Sequence, residues 1–390
     1  MTKPRKIIFP LEFIFTDRDY DRLGIDILKS RGYTPEIWDL SPLFKTFYNE
    51  KHKDSRYLKG DLCKVISNKK HVYSLLAGLT KNDVVMSIFA VSNQNYFLYN
   101  EINKKNIQLG FFQGAYLPQL QSRRSINDID FSFKFIYQVF NKIYSILNSF
   151  LRKKISAEFV VTIGLKHSKE INKIFVILNN FYLLKSHSLD FDRYLRYEKE
   201  VEKNQFKDSY KEYIVFIDEA VTHHSDYDHI GIKPDCDESK YYYELNEFFD
   251  YFEEFTGIKI LIAAHPKSNY KNGKDFFEGR DVIHGKTVEL ISNSKLVLLH
   301  ASTSVNFAIL YEKPLVYLTS KSYSFDFKEK IKLRASSLNL TPITLPLNEK
   351  IILDYSVDID QYNFYLSNYI KYPGSDYELF WDTVCNYLDK

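Results

Sequence analysis

Two short stretches of the chain carry side chains suited to holding a phosphate. The apolar run IKILIAA, starting at residue 258, leads into His265-Pro266-Lys267. Proline fixes the turn that follows, so the imidazole sits at a strand end where it can donate to a phosphate oxygen. Lys267 adds a cation two residues on. The second stretch is Ser302-Thr303-Ser304, between the apolar run KLVLLH (295–300) and the helical pattern TSVNFAILYE (303–312). Small hydroxyls at a helix start present Oγ groups and unpaired backbone N–H donors to an anion, and the helix dipole favours negative charge there. Each stretch also has an ordinary reading. A histidine at a strand end is often a surface residue with its hydrogen bonds met, and Ser302 or Thr303 can simply cap the helix.

Acid–base candidates come from a third stretch. YIVFIDEA (213–220) ends in Asp218-Glu219-Ala220, and a loop follows that carries His223, His224 and His229 within seven residues. A carboxylate or an imidazole is the right kind of group to take a proton from a hydroxyl. The histidines read three ways: as metal ligands, as a base or donor contact from His223 or His224, and as a solvated loop. No helical or strand spacing selects ligation. Asp-X-Asp triplets occur at 17–19, 128–130, 190–192, 226–228 and 235–237, too many for any one to be diagnostic. A P-loop, GxGxxG, GxSxG and HExxH are all missing from the sequence, which removes the commoner nucleotide, hydrolase and zinc-protease signatures.

The elements that must position these residues repeat one pattern, a short apolar run followed by a polar helical stretch. In the first half, strands are predicted at 6–15, 36–40, 83–90 and 107–116, with helices at 16–32, capped by Thr16 and closed by Gly32, and at 93–106. In the second half, strands at 213–220, 258–266, 295–300 and 314–319 alternate with helices at 239–257, 287–294 and 303–312. Continuous apolar strands separated by helices predict parallel sheets covered on both faces. The charged stretch 197–211 reads as a linker. The expected organisation is an N-terminal Rossmann-like domain over 1–205, a second over 206–345, and a C-terminal helical segment over 346–390 returning to the first. The site is then expected in a cleft between the two, facing the carboxyl ends of the strands.

Composition bounds the rest. The chain has 390 residues, 45% hydrophobic and 26% charged, which predicts two domains and excludes disordered and collagen-like classes. Lys plus Arg number 53 against 50 Asp plus Glu, so no global field gathers nucleic acid. Cys63, Cys236 and Cys385 are odd in number and widely spaced, which argues against a disulfide framework or a cysteine-based zinc site and favours a cytoplasmic protein. Residues 131–154 show one apolar helical face and five basic residues without an acid, a pattern that fits either a packed helix or peripheral contact with the inner face of an anionic membrane. The 31 Tyr and 31 Phe accompany abundant Asn, Lys and Ile, and read as composition bias before carbohydrate stacking.

Taken together, HPK (265–267) and GRDVIHGKTVELISNSKLVLLHASTSVNFAILYEKPLVYL (279–318) resemble the nucleotide-binding half of bacterial GT-B glycosyltransferases that use CMP-activated 2-keto-sugars: sialic acid, related nonulosonic acids and Kdo. The resemblance covers residues 213–319 closely. It implies a metal-independent, inverting transfer from a CMP-sugar donor to an oligosaccharide or lipid-linked glycan acceptor, in capsule, lipopolysaccharide or other surface polysaccharide assembly. His265, Pro266 and Lys267 with Ser302, Thr303 and Ser304 would then hold the CMP phosphate. Gly285, Lys286 and Thr287 would border the nucleoside, and the Gly110–Pro118 region of the first domain would meet the acceptor. The family's motif of two acids and a glycine has its nearest match in Asp218-Glu219-Ala220, with alanine in the glycine's place. The base is therefore expected to be Asp218 or Glu219, with His223 or His224 second. CDP-glycerol- or ribitol-type phosphotransferases share the same layout, and a non-catalytic nucleotide-sugar or glycan-binding protein is the third reading.

Overall fold

The computed structural model describes residues 5–44, 50–57, 60–119, 154–175, 177–201, 212–224, 227, 233–266, 268, 270, 275–347 and 355–390. The chain folds as two compact units. One comprises Met1–Gly114, Gln121–Ser186 and Glu378–Lys390, and the other Ala115–Leu120 and His187–Tyr377. Each is built on a parallel sheet, as the unbroken apolar runs of the sequence require.

In the first unit the sheet contains β1 (Lys6–Leu11), β2 (Thr34–Asp39), β3 (Cys63–Val65), β4 (Val84–Ser87) and β5 (Gln108–Phe111), and a two-residue β6 (Ile155–Ser156) lies apart from it. β7 (Phe159–Thr162) and β9 (Tyr182–Lys185) complete the sheet, while β8 (Leu178–Asn179) pairs with β6. The order is β3-β2-β1-β4-β5-β7-β9. In the second unit β10 (Tyr213–Ile217), β11 (Lys259–Ala264), β12 (Val282–His284), β13 (Leu296–Leu299), β14 (Leu315–Ser320) and β15 (Ile343–Leu345) take the order β12-β11-β10-β13-β14-β15. Both sheets thus run outward from their first strand, return, and run outward on its other side, the doubly wound Rossmann order. Every residue of β4, β7, β10 and β13 is buried, so helices cover both faces.

Several predicted elements differ in extent. The single helix expected over 16–32 is two, Asp17–Arg22 and Ile25–Ser30, separated at Gly24 with φ +59°. A side chain at Gly24 would meet the Trp381 ring, with the Cβ only 2.2 Å from Cδ1, and the Trp381 indole N–H donates 2.8 Å to the carbonyl of Arg22. The break makes room for an aromatic from the far end of the chain. Trp381 belongs to the helix Phe380–Leu388 and packs edge-on against Phe9 and Phe112, whereas Tyr362 and Tyr365 of the preceding helix Ile359–Tyr365 join the core of the second unit. The linker expected over 197–211 begins as helix, because Leu189–Val201 is one continuous element in which Lys199 and Glu200 are exposed and Glu198 accepts from the Tyr311 hydroxyl at 2.8 Å, and 202–211 lie outside the described residues. The basic helix expected over 131–154 falls almost wholly outside them as well. Among the described residues no helix is long and apolar enough to cross a membrane.

Gly24→Ala is expected to lower stability by about 1–3 kcal/mol, because the new methyl displaces Trp381 and the residue must keep a positive φ. A lowered urea midpoint, with Trp381 fluorescence shifted to longer wavelength in the native state, checks this.

Candidate functional site

Parallel strands bring all their following turns to one edge. The candidates of the second unit therefore collect at the carboxyl edge of its sheet, after β10, β11, β12 and β13. The strand order places the switch point between β10 and β13, where ligands of doubly wound sheets bind.

The end of β10 organises this edge. Asp218 is 1% exposed, and its carboxylate is fully engaged: Oδ1 accepts from the backbone N–H of Ala220 at 2.9 Å, and Oδ2 accepts from the backbone N–H of His265 at 3.1 Å and from the Tyr270 hydroxyl at 2.8 Å. Burial pushes its pKa up, and these three hydrogen bonds oppose the rise. Glu219, partly exposed, points to the other flank, where its Oε1 accepts from the backbone N–H of Ala301 at 2.5 Å. Burial raises its pKa too, against the pull of Lys330, the Ala301 N–H and Arg334. One acid thus holds the turn after β11 and its neighbour holds the turn after β13. Ala220 follows with φ +48°, a left-handed conformation that glycine adopts without strain.

The turn after β11 closes through Ser268, whose N–H and hydroxyl both donate to the His265 carbonyl, at 2.9 and 2.7 Å. His265 is half-buried, and its ring lies 4.6 Å from that of His224, centroid to centroid. His223 pairs its Nδ1 with the Thr222 hydroxyl at 2.8 Å and meets the Tyr270 ring edge-on. Asp218, His223, His224, His265 and Tyr270 are therefore one cluster. Pro266 is exposed, and Lys267 lies outside the described residues, as does His229. After β12, Gly285 has φ +75° and opens to solvent, and Lys286 stands at the N-cap of the helix Thr287–Asn293. His284, just before them, has its ring 6.3 Å from that of Tyr270.

After β13, Ser302 Oγ accepts from the Ser304 N–H at 3.2 Å, and Thr303 is exposed. Ser304 precedes the helix Val305–Leu310 without a side-chain cap, so the predicted helix 303–312 starts two residues late and the hydroxyls occupy a turn ahead of it. The two phosphate-directed turns do not sit on adjacent strands, because β10 runs between β11 and β13 and separates them by two strand spacings, about 9.5 Å. His300 is a core residue, 0% exposed, between the Tyr241 hydroxyl at 3.1 Å and the Leu318 carbonyl at 2.8 Å. Burial lowers its pKa to about 4.

The sequence reading missed Tyr270, whose role needs the fold to bring it 52 residues back to Asp218. It also missed Glu244, whose buried carboxylate accepts from Ser320 and Ser322 at the end of β14, at 2.5 and 2.9 Å. Among the described residues no group of three or more His, Cys, Asp or Glu side chains could hold a metal ion. In the first unit, Gly110 is a packing residue, since a Cβ there would lie 2.6 Å from both Met86 Sδ and the Phe159 ring.

No family model matches the sequence, and no curated protein matches it. Solved structures do resemble its fold. The UDP-GlcNAc 2-epimerase of Methanocaldococcus jannaschii, crystallised with UDP-GlcNAc and UDP, aligns over 93% of this chain and 98% of its own at 14% identity and a TM-score of 0.43. MurG of Acinetobacter baumannii aligns over 87% and 86% at 9% identity and 0.43, and a glycosyltransferase from Rickettsia africae over 99% and 93% at 12% identity and 0.39. What the chain itself shows is two Rossmann-like parallel sheets, one in each unit.

Two predictions test the site's construction. Asp218→Asn puts an N–H₂ donor against backbone N–H donors, and is expected to cost about 1–3 kcal/mol in urea denaturation. His300 stays neutral in the folded state below its ordinary pKa of 6.5, while the unfolded chain takes up the proton. The stability it contributes is complete above about pH 6.5 and falls as pH drops toward about 4. Between pH 7 and 5 this amounts to about 2 kcal/mol, and His300→Asn is expected to flatten that part of the stability–pH curve.

Proposed function

We propose that this edge binds the phosphate of a CMP-activated 2-keto-sugar, and that the protein transfers the sugar to a glycan hydroxyl by inverting displacement at the anomeric carbon. The observation that carries the reading is the grip of Asp218 and Glu219 on the two turns flanking β10, one bearing His265 and the other Ser302, Thr303 and Ser304. A phosphoryl group over the end of β10 lies between imidazole and hydroxyls. Negative charge grows on that phosphate as the sugar leaves. Donors held in place beforehand stabilise it without reorganising, and losing one typically costs about 10² to 10³ in rate. The left-handed Ala220 supports matching this segment to the acid-acid-glycine pattern, because glycine adopts that conformation without strain.

Within the acidic pair the roles divide. Asp218 has both oxygens committed and is sealed from solvent, so it positions the His265 turn. Glu219 is partly exposed at the switch point and carries a raised pKa, which suits a general base better. His224, against His265, is the second choice. Gly285, Lys286 and Thr287 would border the nucleoside on the outer side of β11, and Lys267 would add its charge to the phosphate turn.

The test is CMP release from CMP-sialic acid, CMP-Kdo and CDP-glycerol by wild type, His265→Ala and Glu219→Gln. Turnover of a CMP-sugar, reduced about 100-fold or more in each variant, is the expected result. Turnover of CDP-glycerol alone replaces the sugar transfer with a phosphotransfer, and an undiminished rate in His265→Ala removes the imidazole from the mechanism.

A further inference from the structure

We infer that Lys330 and Arg334 form a seat for an oxyanion carried by the donor, on the β13–β14 side of Glu219. This rests on the nucleotide-donor reading above and adds a second anionic contact, made from a helix that none of the sequence motifs includes.

Both residues belong to the helix Phe325–Ser336, which connects β14 to β15. Four residues apart, they share one face, and like charges at that spacing repel. Both are half-buried. Among the described residues neither cationic head makes a hydrogen bond or an ion pair: Lys330 Nζ lies over the Phe327 ring at 5.3 Å, and Arg334 Nε is buried without an acceptor. Burial and the neighbouring guanidinium hold the Lys330 pKa below its ordinary range. A protein that only needed stability at this place would not keep two cations side by side out of water.

The surroundings supply too little negative charge. Glu219 attracts both cations, and Asp235 attracts Lys330. Glu219 is already committed to the Ala301 N–H that fixes the serine turn. Tyr317 of β14 lies within electrostatic reach of both Arg334 and Glu219. Two residues further along the same face, Thr319 Oγ1 is buried with no partner. Ammonium, guanidinium and hydroxyl donors thus gather beside the switch point with an acceptor missing. An oxyanion supplies it, and the planar guanidinium fork suits carboxylate and phosphate alike. A CMP-linked 2-keto-sugar acid carries both groups.

Calorimetric binding of CMP, CMP-N-acetylneuraminic acid and UDP-GlcNAc to wild type, Lys330→Gln, Arg334→Gln and Arg334→Lys tests the seat. If the seat takes the sugar's carboxylate, each Gln variant raises the Kd for CMP-N-acetylneuraminic acid by about 10- to 100-fold and leaves that for CMP within about twofold. If it takes the phosphate, both constants rise together. Arg334→Lys should lie between, since it keeps the charge and loses the fork. Should Arg334→Gln fail to fold by thermal melting, Lys330→Gln carries the same comparison. Gln variants that bind the wild type's nucleotide equally well overturn the seat and leave the donor reading intact. A wild type that binds UDP-GlcNAc and neither cytidine compound sinks the donor reading, and a weakened uridine complex in the Gln variants still supports the seat. Binding of none of the three overturns both.

Discussion

Two carboxylates on consecutive residues, each accepting a backbone N–H from a different neighbouring strand end, set the carboxyl edge of the second sheet. A strand end leaves backbone donors unpaired, and a buried carboxylate is costly unless such donors meet it. Asp218 and the His265 turn each satisfy what the other lacks, and Glu219 does the same for Ala301. The two acids directly follow β10, and each flank has its own acceptor, Asp218 for the turn after β11 and Glu219 for the turn after β13. The arrangement also explains the strained Ala220, since the chain must turn sharply to place its N–H on Asp218.

The same edge shows how buried histidines differ in use. His300 is closed into the core between a tyrosine hydroxyl and a carbonyl, and burial keeps it neutral. His265, His223 and His224 stand at the rim, where their rings pack on one another and on Tyr270 while one side faces outward. Residue type and strand-end position are alike for His265 and His300. What separates them is their neighbours, since Tyr241, Phe216, Tyr323 and Phe327 close around His300.

In the first unit the closest packing is made by glycines. Gly24 yields to Trp381 and Gly110 to Met86 and Phe159, so one glycine inside a predicted helix and one inside a predicted strand are contact points between elements distant in the chain. The helix Phe380–Leu388 is held there by Trp381, through its rings on Phe9 and Phe112 and its N–H on Arg22.

The parallel sheets, four strands of each and the turns after β10, β11 and β13 were legible in the sequence, whereas β3, β7, β9, β12 and β15 were not. Unbroken apolar runs such as YIVFI and LVLL leave no alternative to a sheet covered on both faces, and strand ends follow from where those runs stop. The candidate site residues were visible for the same reason, as polar side chains immediately after apolar strands. Tertiary structure alone decided which of them meet. It put β10 between the His265 turn and the Ser302–Ser304 turn, committed both oxygens of Asp218 and one of Glu219 to hydrogen bonds from neighbouring segments, and brought Tyr270 onto Asp218. Local sequence fixes periodicity and turns because those depend on neighbouring residues; strand order and the pairing of a carboxylate with a distant backbone N–H depend on how the chain closes on itself.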